Sequence, residues 1–385
     1  MTISREDVFS SDEFAERRAK TRALMAARGV DTIVLHSPSN IYYLCGHHTL
    51  NIWDYQCLIL PLESDPFMVL WQFEQGRFEA SATDCAPVYF GNTDDPIAAT
   101  ANAMRDRGCL KGIIGMEAQR IFLPKARHDA LADAFGTSVV DISGLVEDVR
   151  SVKSAAEIAV MRQAASGTDA AMRAALDVIA EGVTDREITQ AFAGVLIGAS
   201  TQGFTIFPMI AVGERSGTPH HAQNGAVVKS GDTVFLECSP AINWYHSPLM
   251  RTAVLGAPRD PFAEEVASVG SEALEAMVAT MRPGALASDV AKVGTKVVDR
   301  IRERILFHDF YGYSVGIGFP PTWIEEGEMQ IVATNDRPLQ PGMTFHFPMT
   351  LRKKGVFGVG QSRTVVVTES GAEVLTQLPL GFDRL

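Results

Sequence analysis

The stretch TVFLECSPAINWYHSPLMRTAVLG, residues 233–256, reads as two strands joined by a turn, because runs of Val, Phe, Leu and Thr are broken by Pro, Ala, Ile and Asn in the middle. One residue departs from the apolar character of the first run, Glu237. An ionised carboxylate in such a setting needs a partner or a raised acid constant. Glu237 is therefore either a catalytic carboxylate or half of a structural ion pair with Arg251 or Arg363. In the second run, side chains alternate with period two, which predicts His246 on the same face as Pro248.

Outward from this hairpin the pattern repeats. A long Ala-rich helical segment, residues 155–182, carries Glu157 in its first turn, and a second helix follows in EGVTDREITQAFAGVL, 181–196. RPGALASDVAKVGTKVV, 282–298, is a near copy of that second helix. Each copy follows a long helix and precedes strand-like sequence, the later strands being MTFHFPMTL and GQSRTVVVT. An internally duplicated α+β domain is predicted. Toward the N-terminus, helical spacing from Phe14 to Arg28 stops at Gly29. The strands VDTIVLHS, YQCLILPL and PFMVLW follow, with a turn and short element at SPSNIYYLCG. Helical segments at Ile97 to Gly108 and Leu123 to Phe135 flank the strand GIIGMEA. This smaller α/β domain is placed at 1–149 and the larger α+β domain at 150–385, with the boundary near Val149.

Composition removes whole classes. Of 385 residues 46% are apolar and 21% charged, which is a globular balance. The net charge of -12, with no basic cluster, argues against nucleic acid as a partner. Cys45, Cys57, Cys85, Cys109 and Cys238 are odd in number and scattered, so they read as reduced thiols. The polar start MTISREDVFSSDEFAERR and the absence of a long apolar run give neither a signal peptide nor a membrane span, and a cytoplasmic protein is expected.

Five motifs in order, VRSVKSAAEIAVMRQAA, the 233–256 hairpin, YGYSVGIGFPP, PGMTFHFPM and SRTVVVTESGAEVLT, make the chain resemble the creatinase and aminopeptidase P superfamily. The resemblance implies a pita-bread catalytic domain behind a creatinase-like N-terminal domain. In the peptidases of that superfamily two Asp, a His and two Glu hold a pair of metal ions. The matching positions here are Glu237, Pro248, Tyr313, Pro348 and Ser362, the last followed by Arg363. Proline offers no side-chain donor to a metal, so no metal and no other cofactor is expected. Creatinase has also lost the metals, but carries a carboxylate where this chain has Met250. The set Glu237, YHSPLMRT, GYSVGIGFPPTW and MTFHF looks closer to ectoine hydrolases, which open a cyclic amidine.

The resemblance also assigns roles. His220, in GTPHHAQNGAVVKSGD, matches the proton-handling His, while His221 beside it has a weaker claim. His346 lies two residues before Pro348, as His246 does before Pro248, so both are expected on the former ligand face beside the phenol of Tyr313; ordinary core histidines are the bland alternative. Trp323, with Trp53 and Tyr55, is a candidate wall for a cationic substrate, against simple core packing. Arg363 is a candidate for a substrate carboxylate, against a solvated strand residue. Family dimers bring the N-terminal domain of one chain to the pocket of the other, which implies a homodimer and a role in trans for His48 or Trp53.

The function expected is metal-independent hydrolysis of a non-peptide C–N bond in a small amidine, guanidine or cyclic amide, with ectoine favoured. Alternatives are a creatinase-type amidinohydrolase, an Xaa-Pro aminopeptidase-like peptidase with an unusual site, and a non-catalytic pita-bread binding protein.

Overall fold

The structure is a computed structural model and describes residues 8–118, 122–325, 327 and 329–385. The chain divides into two compact units, Met1–Arg150 and Ser151–Leu385.

The first unit holds a six-stranded sheet of β1 (Thr32–Leu35), β2 (Gln56–Pro61), β3 (Phe67–Trp71), β4 (Ala86–Phe90), β5 (Ile114–Met116) and β6 (Val139–Asp141). Their order is β4-β3-β2-β1-β5-β6, with β2 antiparallel to both neighbours and the outer pairs parallel. Helices α1 (Ser11–Ala27), α2 (Pro38–Cys45), α3 (Gln75–Ser81), α4 (Pro96–Asp106), α5 (Lys125–Phe135) and α6 (Leu145–Arg150) complete it. The expected turn and short element at 37–46 is the helix α2. Pro38 opens it, where a missing N–H costs nothing, and Gly46 closes it in the left-handed region at φ 73. The buried carboxylate of Glu117 accepts the N–H groups of His36 and Ser37 at 2.6 and 3.0 Å, serving orphan donors ahead of α2.

The second unit repeats one plan twice, a helix pair followed by an antiparallel sheet. Helices α7 (Ala155–Asp177) and α8 (Asp185–Ala199) precede β7 (Met209–Val212), β8 (Thr233–Cys238) and β9 (Leu249–Val254). Capping boxes start both helices, Ser154 with Glu157 and Thr184 with Glu187. Helices α9 (Phe262–Thr280) and α10 (Ala287–Val298) precede β10 (Gly312–Ser314), β11 (Gln330–Ile331), β12 (Thr344–Lys353), β13 (Phe357–Thr368) and β14 (Gly371–Val374). The closing strand β15 (Phe382–Arg384) returns to pair with β9. This is the α+β arrangement expected from the repeated helix motifs. The two sheets meet at β9 and β13, where Thr252 Oγ1 donates to the Gly360 carbonyl at 3.0 Å and accepts the Gly360 N–H at 2.8 Å. Only glycine fits there, since a Cβ on Gly360 would lie 2.1 Å from the Phe235 ring.

Alternation sorts the strands. Phe345, Phe347, Met349 and Leu351 of β12 pack into the core formed with α9 and α10. Val234, Leu236 and Cys238 of β8 pack into the core formed with α7 and α8. Residues of opposite parity face the other way, toward a cavity. Among the described residues no helix is long and apolar enough to cross a membrane.

Candidate active site

The cavity measures about 750 Å³ and is walled by strands β7, β8, β9 and β12, the 216–223 loop, the 307–310 segment and the glycine-rich turn. Most of its wall is apolar. Phe235, Met250, Phe307, Phe310 and Trp323 face it together with the polar groups Glu237, Tyr313, His220, His221, His308 and Arg352. Glu237 is the one Asp or Glu among the described residues that line it. Its register partner on β9 is Met250, so no second carboxylate stands opposite. Burial pushes the Glu237 carboxyl up to about 8, and the positive charge of Arg352 offsets part of that. The sequence-derived alternative of an ion pair with Arg251 or Arg363 is not what the structure holds. Arg251 donates to the carbonyls of Met250 and Ser362 at 2.7 and 3.1 Å and to that of Leu378. Arg363 donates to the carbonyls of Thr376 and Leu378 at 3.0 and 2.6 Å.

Tyr313 and Trp323 form one wall. The indole N–H of Trp323 donates to the Tyr313 oxygen at 2.9 Å, and that phenol sits 2.7 Å from Nδ1 of His346. The phenol and His346 Nδ1 share one hydrogen bond, whose direction follows the imidazole tautomer. Burial holds the imidazole neutral, with its acid constant lowered to about 3. His346 thus stands behind Tyr313 and fixes it, one layer back from the cavity surface. His220 lines the cavity from the 216–223 loop in the left-handed region, at φ 58, a conformation a non-glycine residue adopts at a cost.

Three expectations need correction. His246 precedes β9, which starts at Leu249, so the alternation argument does not reach it. It is fully buried behind Trp323, with Nε2 3.1 Å from the Gly318 carbonyl, and burial lowers it to about 4. Arg363 spends its guanidinium on backbone carbonyls and does not line the cavity. Tyr55 is buried in the first unit, its hydroxyl 2.7 Å from Thr100 Oγ1, and is a core residue. His48 and Trp53 also belong to the first unit. His48 sits 3.1 Å from the Gly46 carbonyl and 3.3 Å from Arg77, while Trp53 is 74% exposed. Arg352 and His308 are charged or titratable lining residues that sequence reasoning missed. The parity argument that singled out His346 and Pro348 continues along β12 to Thr350 and Arg352, so the signal was present.

The residues at the expected metal-ligand positions do not fit a metal centre. Pro348 lines the cavity with no donor atom, the Tyr313 phenol is held by Trp323 and His346, and the Ser362 hydroxyl accepts the Met250 N–H at 2.6 Å. That leaves Glu237 alone, and among the described residues no three His, Cys, Asp or Glu side chains cluster as a metal would require.

Comparison with known proteins agrees with this architecture. The model of metallopeptidase family M24 matches residues 159–369, and that of the creatinase/prolidase N-terminal domain matches residues 17–152. Ectoine hydrolase of Halomonas elongata is 28% identical over 401 residues, covering 96% of this chain and 97% of the relative. Dipeptidase PepE from Mycobacterium ulcerans superposes with a TM-score of 0.84 at 24% identity, covering 98% of this chain and 100% of that one. Prolidase from Thermococcus sibiricus gives 0.85 at 21% identity, covering 97% and 99%. At such identities the two structures speak for the fold alone, which is the two-domain pita-bread architecture. With its catalytic-domain match spanning more than half its length, the chain belongs to metallopeptidase family M24.

Proposed function

We propose that this family M24 hydrolase cleaves a non-peptide C–N bond in a small cyclic amidine or amide of the ectoine type, without a metal, with Glu237 as its central carboxylate. The observation that carries the reading is a buried carboxyl, the one Asp or Glu among the described residues of a mostly apolar cavity wall, its acid constant raised to about 8. An amidinium arriving beside Glu237 supplies the missing counter-charge and favours the carboxylate form. The carboxylate then takes a proton from water as the water oxygen attacks the amidine carbon, and returns it to the departing nitrogen as the C–N bond breaks. Attack by the carboxylate itself, followed by hydrolysis of the acyl-enzyme, uses the same placement. His220, at the solvent side, exchanges protons with water. The named ectoine hydrolase relative supports this reading, whereas relatives named as dipeptidases support a peptidase.

Turnover by purified protein separates the two. Ectoine or hydroxyectoine is expected to be consumed, creatine and proline dipeptides are not, and prolonged chelation leaves the rate unchanged, with no stoichiometric metal by elemental analysis. Dipeptide hydrolysis that needs manganese, zinc or iron returns the protein to the peptidases.

We propose further that the protein is a cytoplasmic homodimer. Leu50, Trp53 and Phe73 are 70, 74 and 78% exposed, and the Asn51–Glu74 hydrogen bond at 3.2 Å ties their two segments together, which offers apolar surface for a second chain to cover. Light scattering is expected to give twice the chain mass of 41.7 kDa. Trp53→Asp is expected to shift the protein toward monomer; a variant that stays fully dimeric removes Trp53 from the interface.

A further inference from the structure

Arg352 is an arginine without a counter-ion. Its main chain is pinned, the N–H to the Leu306 carbonyl at 3.3 Å and the carbonyl to the Leu306 N–H at 2.7 Å. From there the side chain follows Pro348 and Thr350 onto the cavity face of β12. Its register partner is Gly358, where a Cβ would lie 2.0 Å from the Ser216 carbonyl oxygen and 3.3 Å from Arg352 Cγ. The missing side chain thus leaves room for the arginine stem. Other arginines of this unit and its neighbour use their terminal guanidinium nitrogens: Arg251 and Arg363 donate to carbonyls and Arg150 donates to Asn40, although Nε of Arg251 is also buried without a partner. The Arg352 guanidinium has no ion pair or side-chain hydrogen bond among the described residues, and its Nε is buried without a partner. Desolvation lowers its acid constant, and the charge that offsets this is that of Glu237. Glu237 itself holds its proton up to about pH 8, so at neutrality it supplies little negative charge. A guanidinium does not escape burial by losing its proton.

We propose that Arg352 is the anion-binding residue of this cavity, and that the natural substrate carries a carboxylate there while its hydrolysable carbon lies at Glu237. A carboxylate matches the guanidinium fork with two parallel N–H···O bonds, and Phe235, Met250, Phe307 and Phe310 accept the hydrocarbon between the two polar ends. The anion site rests on the unpartnered guanidinium and the cavity it lines, whereas the position of the scissile carbon rests on the hydrolase reading. The 750 Å³ volume exceeds what a ten-atom ring fills, which gives a carboxylate-bearing chain space to lie along the wall.

Binding without turnover tests it. With ionic strength held constant by sodium chloride, 10 mM hexanoate is expected to raise the melting midpoint of the parent by about 2 °C, if it binds near 1 mM, and hexanamide to raise it by less than a quarter of that. Arg352→Met and Arg352→Gln are expected to lose the hexanoate response, and Arg352→Lys to keep part of it, since a point charge remains without the fork. Equal responses to hexanoate and hexanamide in the parent, or an undiminished hexanoate response in Arg352→Gln, overturn the assignment. The parent comparison needs no variant to fold. Because no turnover is read, a protein that discriminates hexanoate from hexanamide yet hydrolyses none of the ectoine panel refutes the hydrolase reading and leaves the anion site standing.

Discussion

Glu237→Gln is expected to lower the turnover of the identified substrate by about a hundredfold to ten-thousandfold, and by more if the carboxylate is the nucleophile. The substitution keeps volume and hydrogen-bonding capacity while removing the titrating proton. Its stability signature has a definite sign. The carboxyl ionises near 4.5 when unfolded and near 8 in the folded protein, so the folded state binds the extra proton between those limits. The stability Glu237 contributes is therefore full below about pH 4.5 and is lost as pH rises through about 8, by at most about 5 kcal/mol. The Gln variant escapes that loss and should melt above the parent at pH 9, with the gap closing toward pH 5. In the parent, kcat/KM should rise with pH through about 8, as the free enzyme gains its carboxylate. A Gln variant that keeps near-parental rate, or melts below the parent at pH 9, would show a structural ion pair and would move the chemistry to His220 and Tyr313.

The second large effect lies behind the cavity wall. Lys153 and Glu325 are an almost fully buried ion pair, Nζ to Oε2 at 2.5 Å, with Ser314 Oγ 3.3 Å from Nζ and donating to Glu325 at 2.7 Å. The pair lies against Gly316, where a Cβ would meet Glu325 at 2.5 Å and the lysine stem at 2.8 Å. Glu325 Oε1 also accepts the Ile317 N–H at 3.3 Å, so the pair anchors the turn that carries Tyr313 and Trp323. Removing one partner strands the other charge in the core. Lys153→Met should destabilise the protein by about 3 to 5 kcal/mol and lower its melting midpoint by roughly five degrees. Adding Glu325→Leu should recover much of the loss, since removing both charges costs less than removing one. A single variant melting with the parent would mean that the turn is held by its hydrogen bonds alone.

How much of this was legible in the sequence depends on the range of the signal. The helix pairs and the 233–256 hairpin were readable because capping residues, helical periodicity and strand composition are local. Glu237 was readable because a carboxylate interrupting an apolar strand is a local anomaly. His246 was misplaced because strand alternation was extended three residues beyond the strand, into a segment held by the Gly318 carbonyl from a distant turn. Arg363 was misjudged because its partners, the carbonyls of Thr376 and Leu378, follow the strand and depend on how the chain folds back. The Lys153–Glu325 pair spans 172 residues, and nothing local announces it.

The parity of β8 and β12 reaches beyond this one reaction. Residues 345, 347, 349 and 351 pack against helices, while 348, 350 and 352 face the cavity, so neighbours along one strand answer to different selective demands. A mutation on the cavity side alters chemistry with little change in foldability, and one on the helical side does the reverse. A lineage can therefore exchange a whole set of reactive groups, a carboxylate for a proline or a methionine, without passing through sequences that fail to fold. The same separation makes positions 235, 237, 250, 348, 350 and 352 a compact combinatorial library in which new activities can be sought on an unchanged scaffold.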